Sequence, residues 1–407
     1  MSTSERTGLP SVPFPGRGRA SLRVIETLAR RLSVGRLELT FPDGREIVTH
    51  GSQPGPHARL TIRHPRFARK MLFGGALGFA EAYLDGDCET DDLVSVMELA
   101  AHNDAALGAT LRGQTTSRAL SRLAHLMRPN TRRGARKNIA AHYDLGNAFY
   151  GLWLDRTMTY SSAVFPRPEA DLDLAQEEKY RRMADMADIR PEHHVLEIGC
   201  GWGGFAEFAA REIGCRVTAI TISQAQRDYT AKRLADAGLD DRVQVRLVDY
   251  RDLEGQYDRI VSIEMIEAVG ESWWPTYFAR LRELLTTGGR AALQAITIDD
   301  TQWDSYRRSA DFIQRYIFPG GMLPAPAVMK EKVEQAGLKQ AGEECYGLHY
   351  AETLKRWRHS FEESWPRIAA LGFDERFRRM WRYYLAYCEA GFRTGRIDLR
   401  QLALVKA

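Results

Sequence analysis

The sequence is poor in cysteine and contains no long apolar run. Its five cysteines are scattered without a C-x-x-C pair, which argues against a disulfide framework or a zinc site and predicts reduced thiols and no bound metal. No stretch of about eighteen apolar residues is present, so no membrane-spanning helix is expected. Residues 1–19 lack the apolar segment of a signal peptide. We therefore expect a cytoplasmic protein.

Acidic residues are absent between Asp104 and Asp144, although the net charge of the whole chain is only +4. The spacing of Arg118 and Arg122 with neighbouring leucines predicts a basic amphipathic helix in this interval. Such a segment is attracted to anionic lipid, which would bring the protein peripherally to the inner face of the cell membrane. Nucleic acid binding and an ordinary solvated linker are the alternatives. The cations of the interval are Arg112, Arg118, Arg122, Arg128, Arg132, Arg133, Arg136 and Lys137.

The chain is long enough for two domains, and its composition changes along its length. Residues 1–20 are predicted to be disordered. Residues 21–105 are predicted to form a small α+β unit, an accessory or lipid-binding domain without a catalytic constellation. The basic linker follows at 106–137, and 138–407 form the second domain. In the small unit, helices are expected at 21–32 and 93–101, and 64–84 is expected to form one or two helices around Gly74-Gly75. Strands are expected at 37–41, 45–49 and 58–62.

The second domain alternates strands with helices, which predicts a doubly wound α/β sheet. Ligands bind such a sheet outside the carboxyl ends of its strands, so the residues that follow each strand are candidates for a site. Strands are expected at 195–198, 216–221, 243–248, 259–263 and 291–298, with a last edge strand at 401–405. Helices are expected at 223–237, 274–285 and 326–336 and over most of 350–391.

A glycine-rich loop, Glu-Ile-Gly-Cys-Gly-Trp-Gly-Gly at 197–204, follows the first of these strands. It lacks the lysine and the Ser/Thr of a phosphate-binding P-loop, and it meets the dinucleotide fingerprint only in part. The second strand ends without the acidic residue that usually binds the ribose of NAD. Thr221, Ser223 and Gln226, which stand there instead, can still hydrogen-bond a ribose or a carboxylate.

Two further strand ends carry candidate residues. Asp249, Tyr250 and Arg251 follow the third strand, where an acid beside an aromatic ring can bind an adenine amino group. The alternative for Asp249 is a helix N-cap. Glu267 lies in an apolar run after the fourth strand, where a carboxylate must be paired or functional. A surface position is the alternative for Glu267.

Eight ordered segments together resemble the cyclopropane-fatty-acid synthase family, which includes the mycolic acid methyltransferases. The glycine loop is similar to the E/D-x-G-x-G-x-G loop of class I S-adenosylmethionine methyltransferases. The resemblance is close from about residue 138 onward and loose before it, and it implies a Rossmann-like class I methyltransferase fold. The segments are HYDLGN (142–147), MTYSS (158–162), EIGCGWGG (197–204), TISQAQ (221–226), DYRDL (249–253), IEMIEAVG (263–270), RYIFPGG (315–321) and HYAETL (349–354).

The resemblance implies transfer of a one-carbon unit from S-adenosylmethionine to a cis double bond in a membrane phospholipid, giving a cyclopropane fatty acid. Tyr143, Tyr316 and Tyr350 would stabilise the carbocation by cation–π contact, and bicarbonate would be the base. No nucleic acid partner is expected, and a homodimer is left open. The implied cofactor site comprises Tyr160, Ser161, Glu197, Gly199, Gly201, Gly203, Thr221, Ser223, Gln226, Asp249, Tyr250 and Arg251.

The implied base-binding site departs from the family pattern at two positions. Glu267 and Tyr350 match the family's Glu and Tyr, but Ser162 stands where the usual Cys is and Gln294 where many members have His. Ser and Gln can bind a small anion, but they cannot reproduce the charge-dependent behaviour of His. Gln at position 294, together with Glu-Ala-Val in place of Glu-His-Val at 267–269, also resembles the pattern of relatives that leave a methyl or methylene branch. The alternative product is therefore an uncyclised, branched acyl chain.

Two other classes of function fit the sequence less well. A nucleic-acid methyltransferase would share the cofactor fold, but no catalytic motif of a base-flipping enzyme is present. A lipid-binding protein with a vestigial enzyme domain would not need the intact glycine loop or Glu267.

Overall fold

The computed structural model of the chain describes residues 16–104 and 145–406, with side chains from residue 22 onward. The chain divides into two compact units, residues 1–117 and 118–407. The basic linker at 106–137 and Tyr143 lie outside the described residues. Within the described residues, no helix has both the length and the apolar composition needed to cross a bilayer.

Within residues 16–104, the first unit is a four-stranded sheet with three helices. Strand order is β2-β1-β3-β4, in which β1 is antiparallel to β2 and parallel to β3. The α+β prediction is confirmed, although the first helix begins at Gly16, within the range predicted to be disordered. The elements are α1 (Gly16–Ala29), β1 (Val34–Thr40), β2 (Glu46–His50), β3 (Gln53–Ile62), α2 (Arg66–Leu84), β4 (Cys88–Glu89) and α3 (Leu93–His102).

Local sequence explains where these helices break and begin. Gly75 has φ 57° and ψ −133° and interrupts α2, as the Gly-Gly pair at 74–75 predicts. Asp92 is the N-cap of α3 and accepts a hydrogen bond from the Ser95 amide at 3.1 Å. The buried Asn103 side chain accepts from the Val34 amide at 3.0 Å, which fixes the end of α3 to the start of β1.

The second unit is a seven-stranded sheet of order β7-β6-β5-β8-β9-β11-β10, the predicted class I methyltransferase architecture. Strands β5 to β9 are mutually parallel, and β11 is antiparallel to both neighbours. The strands are β5 (His194–Ile198), β6 (Arg216–Thr221), β7 (Val243–Leu247), β8 (Tyr257–Ile263), β9 (Leu285–Ile298), β10 (Leu338–Cys345) and β11 (Ile397–Lys406).

Helices precede β5 and lie between the later strands of this sheet along the chain. They are α4 (Asn147–Tyr150), α5 (Leu172–Met186), α6 (Gly204–Phe208), α7 (Gln224–Asp236), α8 (Trp274–Leu284), α9 (Asp300–Tyr306), α10 (Pro326–Gln335), α11 (Gly347–Glu363), α12 (Trp365–Ala370) and α13 (Glu375–Arg393). Short 3-10 turns occur at Tyr250–Asp252, Ile266–Ala268 and Glu271–Trp273, and π-helical turns at Ala209–Ile213 and Ile313–Ile317.

The central strands are apolar on both faces, which is why helices cover both sides of the sheet. On β5, Leu196 and Ile198 belong to one core cluster and Val195 to the other, as the two-residue period of a strand requires. The same division holds for Ile260 and Val261 on β8. Because β5, β6 and β8 are parallel, their carboxyl ends lie at the same edge of the sheet.

The prediction that the last strand lies at the sheet edge is wrong. β11 pairs with β9 on one side and β10 on the other. The strand at that edge of the sheet is β10. The sequence analysis missed it because its residues are mostly polar and exposed, without the alternation of apolar and polar residues that indicates a strand. The buried run in β11, Leu399 and 401–404, is the signature of an interior strand.

Aromatic side chains join the C-terminal helices to α4. Trp357 of α11 and Trp381 of α13 are fully buried and lie within 6 Å of Trp153, measured between ring centroids. Phe149 of α4 makes an edge contact with Trp381 at 5.1 Å. This packing fixes the first turn of α11, which carries Tyr350.

Candidate active site

The glycine loop after β5 leaves space for a ligand at one position. Gly199, Gly201 and Gly203 all have positive φ. A Cβ atom at Gly199 would meet the Met265 side chain at 3.0 Å, and one at Gly203 would meet Thr230 at 2.5 Å. A Cβ at Gly201 would meet nothing within 4 Å. Packing therefore requires Gly199 and Gly203, whereas Gly201 borders open space that a ligand can fill.

Glu197, at the end of β5, is a buried acid with unused hydrogen-bonding capacity. Burial raises its pKa to about 8, and the Lys179 ammonium opposes that shift. One of its carboxyl oxygens is buried and has no hydrogen-bond partner in the described part of the chain. An ammonium group of a bound ligand can satisfy this oxygen. Together with the space at Gly201, this fits the amino-acid part of S-adenosylmethionine.

The other predicted cofactor residues form local networks. Thr221 donates to Gln226 Oε1 at 2.9 Å, and the Ser223 hydroxyl accepts from the Gln226 amide at 3.3 Å as the N-cap of α7. Asp249 caps the turn at Tyr250–Asp252 and pairs with the Arg251 guanidinium at 2.9 and 2.7 Å. The N-cap alternative for Asp249 is therefore present, and its contact with adenine stays a prediction.

The MTYSS segment lies between the aromatic cluster and a buried lysine. The hydroxyl of Tyr160 donates to that of Tyr384 at 2.8 Å. Ser161 accepts a hydrogen bond from Lys179 Nζ at 2.8 Å. Lys179, on α5, was not predicted. Burial lowers the pKa of Lys179 to about 8, and the negative charges of Glu264, Asp155 and Glu197 oppose the shift.

Three of the predicted catalytic residues meet at Glu264, which the sequence analysis did not single out. Glu264 Oε1 accepts from the Ser162 amide at 2.9 Å and from Gln294 Nε2 at 2.8 Å. Its Oε2 accepts from the Tyr350 hydroxyl at 2.6 Å. Burial raises the pKa of Glu264, and these donors oppose the shift. Its φ of 50° is a left-handed conformation that costs a non-glycine residue roughly 1–2 kcal/mol.

Glu267 lies one turn beyond this cluster. It accepts from the Ile296 amide at 2.6 Å, and its other oxygen is buried without a partner in the described ranges. Burial, and then the charge of Glu264, raise the pKa of Glu267 to about 8. Tyr350 donates to Glu264 rather than to Glu267. Tyr316 packs on the Phe312 ring at 5.3 Å, and Tyr143 lies outside the described residues.

A bicarbonate ion does not fit this cluster while Glu264 is in place. The Ser162 amide, the Gln294 amide group and the Tyr350 hydroxyl all bind the Glu264 carboxylate. A second small anion would compete for the same donors and would be repelled by a fixed negative charge. The expected bicarbonate base is therefore not supported by this arrangement.

Comparisons with known proteins identify relatives of the chain. The family model described as mycolic acid cyclopropane synthetase matches residues 130–402. The tuberculostearic acid methyltransferase UfaA1 of Mycobacterium tuberculosis is 38% identical over 97% of this chain and 94% of its own length. The cyclopropane-fatty-acyl-phospholipid synthase of Escherichia coli K12 is 34% identical over 88% of this chain and 89% of its own length.

A solved structure shares the architecture of the second unit. The mycolic acid cyclopropane synthase CmaA1, crystallised with SAH and CTAB, is 30% identical to this chain with a TM-score of 0.63. The match covers 67% of this chain and 98% of that one.

Proposed function

Since the chain belongs to the mycolic acid cyclopropane synthetase family, a family of S-adenosylmethionine-dependent lipid methyltransferases, we propose that it methylates a cis double bond in an acyl chain of a membrane phospholipid. S-adenosylmethionine supplies the electrophilic methyl group. The glycine loop and Glu197 hold that donor. The acyl chain reaches the carboxyl edge of the sheet beside Glu264, Glu267 and Tyr350.

The proposal is supported by the acidic and aromatic side chains at the carboxyl edge of the sheet. Glu264 is buried and accepts from the Tyr350 hydroxyl, and the ring of Tyr350 stacks on Phe392 at 4.4 Å. Glu267 is a second buried carboxyl group, near enough to Glu264 for its charge to act on it. Carboxylates and the faces of aromatic rings stabilise positive charge. An alkene that accepts a methyl cation equivalent becomes a carbocation, so this environment favours alkylation of an alkene.

We propose a methylene branch as the product. If the added methyl group loses a proton at once, the ring closes. If a hydride shifts first to the neighbouring carbon, the resulting tertiary cation loses a methyl proton and leaves a methylene branch. Gln294, held by Gln401 and Glu264 at 2.8 Å each, is neutral and cannot relay a proton as His can. Slower proton loss favours the hydride shift. A saturated methyl branch would require an additional hydride donor.

Lipid analysis of a host that makes neither cyclopropane nor branched acids tests this proposal. Expression of the chain should give acyl chains that are one CH₂ heavier. Because the cyclopropane and methylene products are isomers, proton NMR and ozonolysis must separate them: the methylene product has vinyl protons and is cleaved to a ketone. The Gln294→His variant should raise the cyclopropane fraction several-fold. A purely cyclopropane product from the unaltered chain would contradict the methylene assignment, and no modified lipid would contradict the function.

We further propose that the basic linker brings the enzyme to anionic membrane. Each cation near such a surface contributes about 1 kcal/mol. Changing Arg128, Arg132, Arg133, Arg136 and Lys137 to glutamine should therefore weaken co-sedimentation with phosphatidylglycerol vesicles by at least about tenfold, in a salt-dependent manner. Affinity for S-adenosylmethionine should not change. Binding to neutral and anionic vesicles with equal strength would contradict the proposal. A control variant neutralises exposed cations elsewhere: Arg308, Lys330, Lys339, Lys355 and Arg376.

A further inference from the structure

The binding groups around Glu264 are those of a site for a small carboxylate anion. The donors come from three distant parts of the chain: a backbone amide at Ser162, a side-chain amide at Gln294 and a phenol at Tyr350. All three distances lie between 2.6 and 2.9 Å, and both carboxylate oxygens are engaged. The protein itself supplies the anion that fills the site.

We propose that Glu264 is the general base of the reaction and replaces a free bicarbonate ion. This inference rests on the proposed methylation of an alkene. Glu264 takes a proton from the transferred methyl group, and the C–H electron pair becomes the new carbon–carbon bond. That bond is the π bond of the methylene branch after a hydride shift, or the third side of a cyclopropane without one. The positive charge of the acyl chain is thereby cancelled, and the Glu264 carboxyl group later releases the proton to water.

The charges around Glu264 favour a base that is part of the protein over a free anion taken from solution. Among the described residues, Lys179 is the amine whose positive charge lowers the pKa of Glu264, against the effect of burial. The charge of Lys179 is shared with Asp155 and Glu197. Glu267 is a further acid beside Glu264. A free anion would add negative charge to a buried site that already holds several carboxyl groups. A covalently attached carboxylate avoids the entropic cost of capturing that anion from solution.

The backbone conformation of Glu264 allows this residue to be replaced by glycine. Its φ of 50° is one that glycine adopts without strain. Glu264→Gly should therefore keep the backbone of this turn, and the strain that it relieves offsets part of the cost of losing the three hydrogen bonds that Glu264 accepts. It should open an anion-sized space that Ser162, Gln294 and Tyr350 still surround, and circular dichroism checks that the variant folds. Glu264→Gln fills the same space without a carboxylate and serves as the matched control.

We expect Glu264→Gly to lower the rate of lipid modification on the order of 10²–10⁴-fold, the usual contribution of a general base. Sodium formate or bicarbonate at millimolar concentration should restore it at least about tenfold, as expected when an anion regains the site. Neither anion should rescue Glu264→Gln. The unaltered enzyme should keep its full rate in carbon-dioxide-depleted buffer.

Calorimetry provides a readout that does not depend on lipid turnover. Formate should bind Glu264→Gly and should bind neither the unaltered protein nor Glu264→Gln. Loss of wild-type activity on carbon dioxide depletion would overturn the proposal, as would a fully active Gly variant or one that binds formate and stays inactive. If no protein modifies lipid, the proposed function fails, whereas formate binding still reports whether Glu264 occupies an anion site.

Discussion

Replacing Gly201 with valine should raise the dissociation constant for S-adenosylmethionine by at least about 100-fold, roughly 2.7 kcal/mol. Gly201 borders open space in the glycine loop, where a Cβ would meet no protein atom within 4 Å. The added Cβ therefore enters the space that a bound ligand would fill. Its φ of 52° adds local strain without disturbing the core. Isothermal titration calorimetry measures the loss, and circular dichroism checks the fold.

Gly238→Val is the matched control for this experiment. Gly238 also has positive φ and open space around its missing Cβ, but it precedes β7 and so lies at the opposite edge of the sheet. This control should bind S-adenosylmethionine normally. Unchanged affinity in a folded Gly201→Val protein would show that the cofactor does not approach this loop.

Replacing Glu267 with glutamine should reduce lipid product on the order of 10²–10⁴-fold while leaving affinity for S-adenosylmethionine unchanged. Glu267 accepts the Ile296 amide at 2.6 Å, two residues from Gln294, and its second oxygen has no partner among the described residues. The change replaces a carboxyl group that can stabilise a cation with a neutral amide.

The readouts for Glu267→Gln are single-turnover product formation and calorimetric cofactor affinity. Glu254→Gln, an exposed carboxyl change in the loop before β8, should leave both unaltered. Full activity of Glu267→Gln on unsaturated phospholipid would show that Glu267 does not act on the reacting chain. A loss confined to cofactor affinity would place Glu267 in the cofactor site instead.

The central sheet could be predicted because its signals are local. The buried strands β5, β6 and β8 are short apolar runs, and each loop that follows carries polar or glycine residues at the carboxyl edge. The N-cap alternative for Asp249 could be stated on the same grounds. The edge strand β10 could not, because its outward polar residues resemble a loop and its pairing with β11 is non-local.

The assignment of the acidic residues shows the same limit. Glu264 and Glu267 both follow β8, and the sequence favoured Glu267 because it matches the family motif. Only the fold shows that Ser162, Gln294 and Tyr350 turn toward Glu264. Ligands bind such a sheet outside the carboxyl ends of its strands, and Glu264 could have been found by treating every acidic residue after β8 as a candidate on that ground. Lys179 could not have been found, because it is a buried lysine on a helix rich in exposed and half-buried charged residues, and the sequence does not distinguish it from them.

The position of β11 has a consequence for biosynthesis. This strand is made after β9 and β10, yet it lies between them, and its Gln401 holds the Gln294 side chain. While the ribosome is still adding residues beyond 397, β10 has no neighbour to pair with and the Gln294 amide lacks its support. The N-terminal unit can fold during translation, but the catalytic edge becomes complete only after the chain reaches this strand. An enzyme assembled in this order cannot bind lipid productively as a nascent chain.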